Sequence, residues 1–351
     1  MSTARARFRL SLVLGAGLLL LAQIGAELAP VEPAAYFGGW RLARKFEVAR
    51  ALGTVEVLAV GSSHADTDFD AEEFARVSGR RACNFGVGAT DLYVQSVLVR
   101  DVLVPMLAPA TIFWALPDTP LLDRPEAQQY RDAPFLSRAR LPQGYRIVAL
   151  ESRLAYQRKR RLRDWIADLA DPPGAVVDRF GQTRLHHQIE LGPREGATAA
   201  GLSADAEDAG AIELSEAERE ARIEETYRVF AQALDSARAH GVRVVGLLTP
   251  YHASAFEPGA AYRTKMLSGR FEVFRARSVR TLREHGATFV NWRWLTGISE
   301  QDGLFADYQH LNADGARALV PFLVRAADGR DLPDEWSRLA TSDERRLLAP
   351  R

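Results

Sequence analysis

Beyond residue 53, short apolar runs alternate with amphipathic segments along most of the chain. Five runs, Val55–Val60, Ala82–Phe85, Thr111–Leu116, Val242–Leu248 and Ala287–Asn291, are rich in β-branched residues and nearly continuous in hydrophobicity. Strands covered on both faces have this pattern. The segments between them carry helix punctuation. LDSARAHGVRVVGLLTP and VRTLREHGATFVNW each close a helix on His-Gly before a strand begins. Gly241 and Gly286 suit the left-handed position just past a helix C-terminus, and His240 and His285 suit the negative end of the helix dipole. Ser215-Glu216-Ala217-Glu218 is a capping box. Behind it Ile223, Tyr227, Phe230 and Leu234 recur at helical spacing and predict a buried stripe.

This alternation predicts a three-layer α/β/α domain over residues 54–328, built on a parallel sheet of about five strands. An insertion at about residues 118–214 separates the third and fourth strands. It is expected to be helical over 146–169. Its later part, GPREGATAAGLSADAEDAGA, lacks apolar periodicity and reads as a loop. A lid or substrate-binding wall and a plain surface loop both fit that segment. Residues 329–351 read as a C-terminal tail.

The N-terminus has a different texture. Arg5, Arg7 and Arg9 precede an uncharged apolar stretch from Leu10 to Ile24. Its fifteen residues span about 22 Å as a helix, and the flanks from Phe8 to Ala26 extend it toward a hydrocarbon core of about 30 Å. Basic-then-apolar order is that of a signal anchor or a cleaved signal peptide over residues 1–30, with 31–53 as a tether. An ordinary core helix is the third reading. With the arginines held inside, the domain lies beyond the inner membrane, in the periplasm, tethered by a single pass.

Composition narrows the partners. Lys+Arg and Asp+Glu both number 45 in 351 residues, which argues against a general nucleic-acid binder, since that needs a basic footprint. Cys83 is the single cysteine, so no intramolecular disulfide or cysteine-based zinc site is available. His186-His187 have no carboxylate or cysteine at usable spacing, so no metal site and no cofactor are expected.

Two segments carry candidate chemistry. VEVLAVGSSHADTD ends its apolar run on Gly61-Ser62-Ser63-His64. That is either a turn, with a serine or Asp66 capping the next helix, or a nucleophile at a strand's carboxyl end. LFADYQHLNADGARALV places Asp307 and His310 with two residues between them, and Asn312 as N-cap of the following helix. A carboxylate on one imidazole nitrogen selects the tautomer and leaves the other nitrogen to act as base. Strand carboxyl ends of a parallel sheet share one edge, so Ser63, Asp307 and His310 supply nucleophile, orienter and base in that order. Ser63 is favoured over Ser62 because Gly-x-Ser sets it one step past the turn. His252, in TPYHAS after the fourth strand, is a candidate substrate or oxyanion contact, as are His64 and Asp118. Trp292 and Trp294 are either a sugar-stacking shelf or packing residues.

These blocks resemble the SGNH (GDSL-like) hydrolase superfamily, whose fold is flavodoxin-like. VGSSHADTD is similar to its first block, NFGVGATD to its second and DYQHLNADGA to its last. The likeness spans about Val55 to Ala327 without the insertion. It implies an oxyanion hole from the backbone of Ser63 and of the turn at Gly86, Gly88 and Ala89. The third block departs: Ala115-Leu116-Pro117-Asp118 stands where the family has an asparagine. Proline supplies neither a side-chain amide nor a backbone donor. The Gly-Ser-Ser form on a membrane tether resembles the cell-envelope branch of alginate O-acetylation and teichoic-acid D-alanylation. That likeness implies a serine esterase or O-acyltransferase for acyl esters of a surface glycan, with an integral-membrane acyl-donor protein as partner. A non-catalytic envelope protein binding glycan or a membrane partner is the alternative.

Overall fold

The computed structural model describes residues 40–88, 90–117, 175–177, 183–185, 214–257, 260 and 269–329. The N-terminal apolar stretch, most of the insertion, His186-His187, Asp118, Ala89 and the C-terminal tail lie outside the described residues.

Five parallel strands form the central sheet: β1 (Val57–Gly61), β2 (Ala82–Gly86), β3 (Thr111–Ala115), β6 (Arg243–Leu248) and β7 (Thr288–Asn291), in the order β2-β1-β3-β6-β7. A separate antiparallel hairpin pairs β4 (Ala175–Val177) with β5 (Thr183–Leu185). Among the described residues the α-helices are α1 (Trp40–Leu52), α2 (Ser63–Asp68), α3 (Ala71–Ser78), α4 (Leu92–Leu98), α5 (Val104–Leu107), α6 (Glu216–Ala239), α7 (Gly269–Glu284) and α8 (Ala313–Ala327). A π-turn over Val99–Leu103 joins α4 to α5.

The near-continuous hydrophobicity of the strands is explained by helices on both faces. Leu58, Val60, Ile112 and Trp114 pack on one side with Phe46, Tyr93 and Phe230. Val57, Ala59, Phe113 and Leu247 pack on the other with Phe69, Phe74, Leu319 and Leu323. Each expected strand is present with shifted ends. The first starts at Val57 because the Val55 N–H is given to Leu107 O and the Glu56 N–H to Arg81 O, outside the ladder with β3. The helix punctuation forms as read: Ser215 and Glu218 make the reciprocal capping box, and Gly241 and Gly286 adopt φ of 71° and 75°. His240 Nδ1 meets Ser236 O, while His285 Nδ1 meets Asp235 of α6.

Numbered within the sheet, this strand order is 2-1-3-4-5, whose switch point falls between β1 and β3. Ligands of open parallel sheets sit at the carboxyl ends of the strands at that point. The chain there is Gly61-Ser62-Ser63. Gly61 has φ 151°, and a Cβ on it would come within 2.6 Å of Ala115 O on β3, so only glycine lets β1 end against its neighbour.

Candidate active site

Helix α2 begins at Ser63, directly past Gly61 and the buried Ser62. Asp66 caps nothing. It lies inside α2 and takes a hydrogen bond from the buried Lys45 Nζ of α1 at 2.5 Å; Asp70 caps α3 instead, accepting the Glu73 N–H. Asn84 of β2 clamps α2 from below. Its Nδ2 donates to Ala65 O at 2.7 Å and Phe69 O at 2.8 Å, while its Oδ1 accepts the Gly86 N–H at 2.9 Å.

The histidine loop is equally local in construction. Asn312 Oδ1 accepts the N–H groups of Asp314 and Gly315, starting α8. A Cβ on Gly315 would run into Leu304 O, so the glycine lets α8 sit against the incoming chain. Phe305 and Leu311 form a bridge that closes the loop between them. Within it, Asp307 Oδ1 accepts the N–H groups of Gln309 and His310 at 2.8 and 2.9 Å.

The two segments meet at the switch point. Asp307 Oδ2 lies 2.8 Å from His310 Nδ1, and His310 Nε2 lies 2.9 Å from Ser63 Oγ. Burial disfavours the His310 imidazolium, but the hydrogen bond and charge of Asp307, with Asp68 and Asp66 behind it, outweigh burial and raise His310 above the ordinary imidazole value. Asp307 is held below the usual carboxylate range: burial opposes this, and the bonds from His310 and Gln309 overcome it.

The oxyanion side differs from the expectation. The Gly86 N–H is spent on Asn84 Oδ1 and is not free for an oxyanion. Gly88 makes no backbone hydrogen bond to a described residue, and Ser63, first residue of α2, has no intrahelical acceptor for its N–H. The loop carrying Gly88 is held from beneath. Val87 N–H and the Thr90 hydroxyl reach Gly61 O, Gln95 Nε2 holds Thr90 O, and Trp114 Nε1 holds Gln95 Oε1. At the end of β3, Ala115, Leu116 and Pro117 bring no side-chain donor, and Leu116 N–H is given to Leu247 O.

His252 does not reach this edge with a free nitrogen. Its Nδ1 faces Ser254 Oγ at 2.8 Å and its Nε2 faces Asp302 Oδ1 at 2.8 Å, with the ring edge-on to Phe305. The residue caps the 3-10 turn Ala253–Phe256, so the oxyanion role read for it is corrected to a local structural one. His252→Ala is expected to leave kcat within about threefold of wild type, because no reacting atom loses a donor. Turnover of a chromogenic acetyl ester checks this; a fall of about 10²-fold, the scale of a lost oxyanion donor, would restore His252 to the site.

The neighbour before it is the one turned toward His64. Tyr251 is buried, and its hydroxyl lies 3.1 Å from His64 Nε2. His64 in turn stacks on His310 with centroids 4.9 Å apart, and its Nδ1 lies 3.5 Å from Ser62 Oγ. Trp292 is buried against Phe322, and Trp294 packs on Phe256 with its indole N–H on Glu300, so neither forms a shelf. Lys45 and Asp68 carried no local mark in the sequence, and the only mark on Asp66 was that of a helix cap. Lys45 and Asp66 pair across 21 positions, and Asp68 takes the Leu311 N–H across 243.

Fold and side chains together define a parallel α/β protein with a Ser-His-Asp constellation on the carboxyl edge of its sheet. No protein-family model matches the chain, and no curated protein matches it. Among solved structures it is similar to a Bacteroides fragilis protein proposed to be an acylhydrolase, at 12% identity and a TM-score of 0.42, over 83% of this chain and 98% of that one. It is also similar to a GDSL-like lipase from Bacteroides thetaiotaomicron, at 11% identity and a TM-score of 0.41, over 82% and 97%. Likeness at this level transfers no chemistry, which rests on the side chains themselves.

Proposed function

We propose that this protein is a serine esterase or O-acyltransferase of SGNH type. The observation that carries the reading is the continuous chain from Ser63 Oγ through His310 to Asp307, with separations of 2.9 and 2.8 Å. His310 Nε2 takes the hydroxyl proton as Ser63 Oγ attacks the acyl carbonyl, and Asp307 holds the imidazolium that results. The N–H groups of Ser63 and Gly88 face the oxyanion of the tetrahedral intermediate. Collapse breaks the ester bond, and the leaving alkoxide takes the proton back from His310. A water or a second hydroxyl then attacks the acyl-serine and gives its proton to His310, which returns it to Ser63 Oγ as the acyl–Oγ bond breaks. Water makes the protein an esterase; a sugar hydroxyl makes it an acyltransferase.

The sequence blocks and the basic-apolar N-terminus support an envelope setting: a periplasmic domain on an inner-membrane anchor, a surface glycan as acyl acceptor or ester, and an integral-membrane acyl donor. A second reading, glycan binding without catalysis, is favoured by the missing donor at Ala115–Pro117. Fluorophosphonate labelling separates them. The purified full-length chain should be marked and should turn over a chromogenic acetyl ester, with a glycan acceptor diverting the acyl group if transfer is the reaction. An unmarked wild-type protein would leave the binding reading. For topology, a periplasm-active reporter fused after Gly53 should give signal, and one active only in the cytoplasm would overturn export.

A further inference from the structure

The reacting pair comes from opposite ends of the chain, and one buried side chain ties the two segments together. Asp68 is the last residue of α2, the helix that starts with Ser63, and is 1% exposed. Its Oδ1 accepts the N–H of Leu311, the residue after His310, at 3.0 Å, and also receives the Thr67 hydroxyl at 2.8 Å. Its Oδ2 has no partner in normal hydrogen-bond geometry among the described residues, while the Thr249 hydroxyl beside it still favours the charged carboxylate. Asp68 lines, with His64 and Thr249, a cavity of about 10 Å³ whose other walls are apolar, Phe69, Phe113 and Leu319 among them. That is room for about one water molecule.

A carboxyl group is an expensive way to fill such a position, since burial penalises its charged form. Burial pushes Asp68 up to about 7, against the opposing pull of His310. It does not touch the ring nitrogens of His310, which are taken by Asp307 and Ser63. Its route to the histidine is therefore the backbone. Proton transfer needs Ser63 Oγ and His310 Nε2 within about 3.2 Å, and a loop that slips by 1 Å costs about 10²-fold.

We propose that Asp68 is a positioning residue: its buried carboxyl, bonded to the Leu311 N–H, ties the loop of His310 to the helix of Ser63 and sets their separation. The proposal rests on the reading of Ser63 and His310 as the reacting pair. It predicts that Asp68→Ala, in folded full-length protein, slows fluorophosphonate labelling and lowers kcat by about 10- to 100-fold with KM little changed. Asp68→Asn keeps an acceptor for the Leu311 N–H and has the shape of the neutral carboxyl, so it should recover to within about fivefold of wild type. A purely structural role would instead lower the urea midpoint and leave the rate per folded molecule unchanged. An alanine variant labelled as fast as wild type, or an asparagine variant as slow as alanine, overturns the tie. Should the alanine variant not fold, amide exchange of Leu311 in the wild type decides: protection to the level of the core supports the tie, and exchange at the rate of an exposed loop overturns it. A wild type that takes no label overturns the reading of Ser63 and this proposal together, whereas a labelled wild type with an unaffected alanine variant overturns the proposal alone.

Discussion

Ser63→Ala and His310→Ala are each expected to lower kcat/KM toward an acetyl ester by about 10³-fold or more, and the double variant should be little worse than either. Both changes remove the same event. Without Oγ there is no nucleophile for the imidazole to activate, and without Nε2 the hydroxyl 2.9 Å away keeps its proton. Residues that act as one unit lose their effect together, so the free energies do not add. Ser62→Ala is the control that fixes the register. Ser62 is buried, and its hydroxyl lies 3.5 Å from His64 Nδ1, a separation at the outer limit of a hydrogen bond. It should stay within about threefold of wild type. If Ser62→Ala abolishes activity and Ser63→Ala does not, the nucleophile has been placed one residue too far along.

Asp307→Asn should be nearly as damaging, by about 10³- to 10⁴-fold in kcat at neutral pH, the scale seen when a triad carboxylate becomes an amide. An amide can present its N–H to His310 Nδ1, which moves the imidazole proton to Nε2 and leaves Ser63 without an acceptor. The pH profile gives an independent check with a definite sign. His310 acts as base only when neutral, so activity rises with pH through its titration. Burial would lower that midpoint, but the bond and charge of Asp307 raise it above the ordinary imidazole value. The wild-type acid limb should therefore lie above about 6.5, and Asp307→Asn should move it down as the raising partner is lost. Measurement of kcat/KM from about pH 5 to 9 tests this. A variant with an unmoved limb and near-wild-type turnover would show that Asp307 does not orient the base.

Much of the scaffold was legible because its causes are local. A strand covered on both faces is apolar at every position, and a helix end needs particular residues within a few positions of it. Hence the five strands, the Ser215 capping box, the Asn312 cap and the glycines after His240 and His285 could be read from short windows. The shifted strand ends were not legible, because partners such as Leu107 O, 52 positions from Val55, decide where a ladder begins.

The candidate site divides along the same line. That Ser63, Asp307 and His310 lie on one edge follows from motif positions and the rule that parallel strands share their carboxyl ends. Position on an edge says nothing about where a side chain points. His252 stands at such an end, yet Ser254 and Asp302 take both of its nitrogens, and Tyr251 is the residue turned toward His64. Gly86 is likewise on the expected turn, but Asn84 Oδ1 holds its N–H. Sequence by itself determined the strand and helix punctuation and the residue types able to form a nucleophile, a base and its orienter. Tertiary structure alone decided which donors remain free, that Lys45 pairs with Asp66, and that Asp68 bonds Leu311 across 243 positions. The reason is that hydrogen bonds are satisfied by whichever partner the fold brings within about 3 Å, and that distance is set by packing between segments that share no local pattern.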